Sequence, residues 1–197
     1  MLQYLPYLVF VGGTVQLIGA YSYIRDTIRG KTKPNRITWL LWSIAPFIGS
    51  AAAFASGVRW AVIPVFMSGF GPLTVFISSF VNKNSYWKLE RFDYLCGFLS
   101  LLALILWGIT KMPIIAIIFA IASDLLAGVP TILKSWKYPE TENAAPFTTG
   151  LLASISSFAA VKMWNFSSIG FPIYLTLMNG LIAIIIYRRK IFPRVAK

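Results

Sequence analysis

The stretch AIASDLLAGVPTILKSWK, residues 120–137, sets one carboxylate, Asp124, in an apolar run and follows it with Pro130. The chain has six acids in all, and the other five, Asp26, Glu90, Asp93, Glu140 and Glu142, fall near polar segments where water is expected to hold them. Asp124 stands ten residues before Lys134. At the rise of an α-helix that is roughly 15 Å, the middle of a hydrocarbon layer about 30 Å thick. A carboxylate at that depth is costly and is retained where it faces a cavity or a partner. The chemistry open to it there is to take up and release a proton or to hold a cation. The alternative is a protonated acid that hydrogen-bonds a neighbouring helix. No Lys or Arg stands at a comparable depth, so an ion pair within the chain is not expected.

Few other polar residues lie in apolar runs. Gln16 has an amide that can donate to a carboxylate or bond a second helix. Asn179, in LTLMNGLIA, is also near mid-depth, and Ser43, Ser68, Ser154 and Ser156 can line a cavity or bond back to their own helices. Trp39 and Trp42 are three residues apart and so share a helix face. Trp39, nearer the loop, reads as an interfacial anchor, and Trp42 as a ring that can stack on a solute or pack. Asp124, Gln16, Asn179, Trp42, Ser43 and Ser68 are thus the candidate solute-binding set, with Asp124 the candidate proton or cation site. Pro130, Pro146, Pro64 and Pro172 are candidate hinges, because a proline inside a helix frees a carbonyl. Pro130 is expected to break its helix near Gly128 and free the carbonyl of Leu126.

Helices must position these residues. Hydrophobic residues make up 57% of the 197, charged residues 12%, and there is no histidine. A soluble domain of that size cannot hide so much apolar surface. Seven apolar stretches, about 4–24, 35–56, 59–81, 93–110, 112–134, 143–163 and 166–187, have the roughly 20 residues that one helical span needs. The runs SLLALILW and IIAIIFAIA are continuous, unlike the alternating strands of a membrane barrel. The expected class is an all-α membrane protein with seven transmembrane helices.

The net charge of +12 would suggest a nucleic-acid partner in a soluble protein, but the cations gather in alternate loops. Arg25, Arg29, Lys31, Lys33 and Arg36 follow the first stretch; Lys83, Lys88 and Arg91 the third; Lys134 and Lys137 the fifth; Arg188, Arg189, Lys190, Arg194 and Lys197 the seventh. Only Arg59, Lys111 and Lys162 fall on the other side. The positive-inside rule then predicts a plasma (inner) membrane protein with its N-terminus outside and its C-terminus in the cytoplasm. The cations follow the first apolar run, which reads as a retained helix and not a cleaved signal. Cys96 is the one cysteine and reads as a small packing residue.

Shifting the chain by 108 residues aligns Asn35 with Asn143, Pro64 with Pro172, Leu17 with Leu125, Ile24 with Ile132 and Leu73 with Leu181. Helix boundaries and loop lengths agree at the same offset. The organisation expected is a first three-helix repeat over 1–81, a linker helix over 82–111, a second three-helix repeat over 112–190 and a basic cytoplasmic tail over 191–197. One intervening helix gives both triplets the same orientation, a parallel 3+1+3 repeat whose solute site falls between the halves. Gln16 is the counterpart of Asp124, so the two are expected to face each other.

With Pro130-Thr131 near the end of one triplet's first helix, a short basic loop, and Pro146 early in the next helix, the chain resembles the PQ-loop superfamily, which includes the SWEET (MtN3) transporters. Ser22-Tyr23 and Thr38 occupy the corresponding places in the first triplet. The resemblance implies alternating access between two triplets, with prolines as hinges and third-helix asparagines holding a sugar. Asn179 matches the second-triplet asparagine; Gly71 stands at its counterpart.

An enzyme is not expected, since no histidine, cysteine pair, GxSxG or acid cluster is present; nor is a cofactor or a metal. A retinal protein would need a lysine deep in the last helix, and 169–187 has none. The reading favoured is a small secondary transporter of a small polar solute, sugar-like or cationic, working by alternating access with proton coupling through Asp124. A ligand-binding receptor or sorting protein on the same fold, and a carrier resembling the nicotinamide riboside transporters, are the alternatives. The expected partners are a small-molecule solute and the lipid bilayer, with no nucleic acid; the class admits a homo-oligomer.

Overall fold

A computed structural model describes residues 8–55, 63–110, 113–161 and 164–191. Those residues form seven α-helices: α1 Leu8–Ile28, α2 Arg36–Ala55, α3 Ile63–Ser78, α4 Arg91–Ile109, α5 Pro113–Lys137, α6 Ala145–Ser157 and α7 Phe166–Ile191. Short 3-10 turns lie at Lys83–Ser85, Pro139–Thr141 and Phe158–Ala160. The three cations expected opposite the basic loops, Arg59, Lys111 and Lys162, lie outside the described residues, as does the tail over 192–197.

The helix ends have local causes. Gly30, at φ +76°, ends α1 in the left-handed conformation that glycine adopts without strain. Its N–H bonds the Thr27 carbonyl at 2.9 Å while that of Lys31 bonds the Asp26 carbonyl at 2.8 Å, a Schellman closure. Asn35 opens α2: its side-chain oxygen accepts the N–H groups of Ile37 and Thr38 at 3.1 and 3.3 Å. Asn143 does the same for Ala145 at 2.7 Å. Each asparagine also gives its amide to an acid, Asn35 to Asp93 at 2.9 Å and Asn143 to Asp26 at 2.7 Å.

α3 packs between α1 and α2, and α7 between α5 and α6. The two groups meet where α1 lies on α6 and α2 on α5, and α4 packs on α5 and α2. Gly19 lets α1 approach α6: a Cβ there would lie 2.9 Å from both the Ala145 carbonyl oxygen and the Pro146 Cα. A Cβ on Gly12 would lie 3.0 Å from the Ala153 Cα. Small residues thus set the closest contact between the groups.

The core cluster is Tyr23, Trp39, Val75, Phe147, Met178, Ile182 and Ala183. Trp39 with Phe147, and Val75 with Ala183, are pairs separated by 108 residues. Trp39 is 3% exposed, with its ring 4.8 Å from Tyr23 and 6.2 Å from Phe147. The expected interfacial anchor is therefore a core residue, because helix α2 turns that face toward α1 and α6 and not toward a boundary.

Pro130 does not break its helix. α5 continues to Lys137, and α2 supplies hydrogen bonds along this stretch: the Thr38 hydroxyl donates to the Ala127 carbonyl at 2.6 Å and accepts from Thr131 at 3.1 Å. The acids also depart from expectation, since Asp93 and Glu142 are buried with partners supplied by distant segments.

Two helical stretches among the described residues, Ile117–Lys137 and Ile169–Arg188, are long and apolar enough to cross a membrane by length and composition. Phe66–Ser78 is a shorter apolar helix. On α4, Leu95, Phe98, Leu102, Ile105 and Ile109 are exposed, whereas Asp93, Cys96, Ser100 and Ala103 are buried.

Candidate functional site

A cavity of about 380 Å³ lies between the two groups of three helices and is lined by all seven α-helices. Asp124 of α5 is its one charged residue among the described residues, and Gln16 of α1 lines the same space. Asn179, Trp42 and Ser68 line it as well.

The partners of Asp124 come from two helices. The Tyr174 hydroxyl of α7 donates to its Oδ2 at 2.7 Å. The Trp42 indole of α2 donates to its backbone carbonyl at 3.2 Å. Tyr174 was invisible in the sequence, since the 108-residue offset pairs it with Phe66, which has no hydroxyl. The one signal available was a tyrosine within an otherwise apolar run.

Asn179 gives its amide hydrogen to Leu175 at 2.9 Å and rests against Gly150, where a Cβ would lie 2.6 Å from its Oδ1. Trp42 gains room from Gly128, where a Cβ would sit 3.1 Å from the indole. Gln16 makes no side-chain hydrogen bond to a described residue and is half-buried at the wall.

Ser43 does not line the cavity; it is buried and donates to the Leu40 carbonyl at 2.6 Å. Ser154 and Ser156 likewise donate to Leu151 and Ala153 in their own helix, at 2.9 and 2.7 Å. A hydroxyl in a helix has a carbonyl within reach, and here that local bond takes it. Ser68 is on the lining.

The prolines divide by position. Pro146 lines the cavity but is in the first turn of α6, where a missing N–H frees no helical carbonyl. Pro130 and Pro172 are inside α5 and α7. Pro64 is the second described residue of α3. Pro46 and Pro72, inside α2 and α3, are on the lining.

One end of the cavity is closed. Trp39, Phe147 and Ile182 form its floor and are 3%, 2% and 0% exposed. Trp42 stands edge-on to Trp39, with centroids 5.4 Å apart, and 6.2 Å from Phe147. Beyond the floor, Tyr23 donates to Glu142 Oε2 at 2.6 Å. Lys134 pairs with Glu142 Oε1 at 2.5 Å, with side-chain exposures of 1% and 0%. The Lys134 ammonium also donates to the Lys33 carbonyl and lies 4.9 Å over the Trp87 ring. Lys33 N–H bonds the Thr141 carbonyl at 2.9 Å, tying the α1–α2 loop to the α5–α6 loop. By sequence Lys134 belongs with the loop cations, and its burial depends on Glu142 folding back over it.

No protein-family model, curated protein or solved structure matches this chain.

Proposed function

We propose that this chain crosses a plasma membrane seven times, as two parallel three-helix repeats joined by α4, and moves a small polar solute by alternating access. Asp124 is its proton or cation site. The observation that carries the reading is the cavity between the two groups, with a single carboxylate on its wall and a closed aromatic floor beneath.

Support for membrane residence comes from α4, which buries Ser100 and exposes Leu95, Phe98, Leu102 and Ile105. That polarity is the reverse of a water-facing helix. The repeat is supported by the shared packing order, third helix between first and second in both groups, and by the equivalent caps of Asn35 and Asn143. The charge pattern puts the N-terminus outside, so the closed end with Lys134 and Glu142 faces the cytoplasm. Inward opening requires the floor and the Lys134–Glu142 cluster to part while α1 and α6 hold their close contact or slide along it.

Proton coupling follows from the isolation of Asp124. Tyr174 faces it from α7 and Trp42 from α2, and among the described residues no other charged group lines the cavity. A carboxyl so placed exchanges its proton only with what enters the cavity.

The test uses proteoliposomes carrying an internal pH dye and challenged in turn with sugars, amines and vitamins. Solute-dependent proton movement in the wild type, absent in Asp124→Asn, is the expected outcome. The amide keeps an acceptor for Tyr174, so the fold survives. Wild-type rates in Asp124→Asn would sink the coupling. Binding without movement of any solute would favour a receptor or sorting protein.

A further inference from the structure

Resting on the reading of this cavity as a solute site, we infer that its ligand is an organic monocation, an ammonium group on a small apolar or single-ring body. Charge comes first. Asp124 has no cation facing it among the lining residues, and Tyr174 and Trp42 bring hydrogen bonds but no positive charge. A ligand carrying one positive charge completes the pair, and an anion meets only repulsion there.

Hydrogen-bonding capacity excludes a polyol. Besides Asp124, the polar side chains on the wall among the described residues are Gln16, Asn179 and Ser68, together with the indole N–H of Trp39, which has no partner, and that of Trp42, which is given to the Asp124 carbonyl; the rest are rings and aliphatic side chains. A sugar would leave most of its hydroxyls facing carbon, at a desolvation cost that burial does not return. An ammonium asks for less. It has up to three N–H groups, and the Asp124 carboxylate, the Gln16 amide oxygen and the Asn179 Oδ1 are acceptors on the same wall set. Asn179 already spends its own N–H on Leu175, which leaves its oxygen as the group to offer.

The body of the ligand is defined by the floor. Trp39, Trp42 and Phe147 make a connected aromatic surface, with centroids 5.4 to 6.2 Å apart. Such a surface attracts cations through the ring quadrupole and accommodates an apolar or aromatic group by area. About 380 Å³ is near the lower end of small-molecule sites, enough for one ring and a short arm.

Three probes of one shape and different charge test this: 2-phenylethylammonium, 2-phenylethanol and 3-phenylpropanoate. Their binding to the purified full chain in lipid nanodiscs is read by tryptophan fluorescence, with empty nanodiscs correcting for partition into lipid. The ammonium is expected to bind at least about tenfold more tightly than the alcohol, a typical minimum for a desolvated charge pair, and the carboxylate not at all. Asp124→Asn should erase that preference, and Asp124→Glu, which restores the charge, should keep part of it. Equal binding of ammonium and alcohol, a preference that persists in Asp124→Asn, or no binding by any probe overturns the inference. Counterflow in proteoliposomes separates it from the carrier reading. An ammonium that binds through Asp124 but is never moved would refute transport and leave the ligand class standing. Movement of neutral solutes with no ammonium binding would do the reverse.

Discussion

Glu142 uses both carboxylate oxygens, one on Tyr23, 119 residues away, at 2.6 Å and one on Lys134, eight residues away, at 2.5 Å, and its side chain has no exposure. A buried pair of this kind is weak evidence for net stability, but removing one partner strands the other charge. Lys134→Met and Glu142→Leu should each therefore lower stability by about 3–5 kcal/mol. The double variant should cost clearly less than their sum, because no lone charge is left. Thermal unfolding in detergent as a double-mutant cycle measures this, and strict additivity would mean that the pair is not coupled. Asp124 is the contrasting residue. Its place well inside a long apolar helix was legible from its distance to the nearest loop, whereas Tyr174 was not, since a partner from another helix leaves no mark at a fixed spacing.

At the scale of the element, α2 and α5 are joined by side-chain bonds to backbone. Trp42 donates to the Asp124 carbonyl and Thr38 to that of Ala127, one helical turn apart and just before Pro130. Proline has no N–H for the carbonyl of Leu126, so the helix is weakest there. The α2 donors steady the adjoining turn, which explains why α5 runs on to Lys137 and is not broken. Thr38→Val keeps the shape and removes the hydroxyl. It should cost about 1 kcal/mol, the net worth of an ordinary hydrogen bond. Hydrogen exchange should rise at residues 128–132 more than elsewhere in α5, and a uniform change would argue against local support. Sequence reasoning reached the proline and its freed carbonyl, but the threonine that steadies the helix is 92 residues away from it. The 108-residue offset also pairs bulky with small residues. Trp42 and Gly71 in the first group correspond to Gly150 and Asn179 in the second. Under the proposed repeat, large and small residues stand on opposite helices of the two groups, which would make the cavity between them asymmetric.

For the whole molecule, the proposed orientation gives a labelling prediction. In a Cys96→Ala background, Lys31→Cys and Lys83→Cys should resist a membrane-impermeant maleimide added outside intact cells, and Thr110→Cys should react. The reverse pattern would invert the topology, and reaction of all three would refute a seven-span arrangement. The one native cysteine is buried, so its replacement by alanine removes little.

Seven helical stretches, the asparagines at the start of the second and sixth, and the acid in an apolar run were legible in the sequence, because these depend on local propensity, the length of apolar runs and spacing. The 108-residue offset led to the expectation that Gln16 and Asp124 face each other, and both line the cavity. Tertiary structure alone decided that Trp39 is core, that Ser43 turns to its own backbone, that Tyr174 holds Asp124, and that Lys134 and Glu142 are sealed together. Each of these rests on which helix faces pack against which. That choice is governed by shape and close approach at sites such as Gly19, quantities that a linear pattern of apolar and polar residues does not encode.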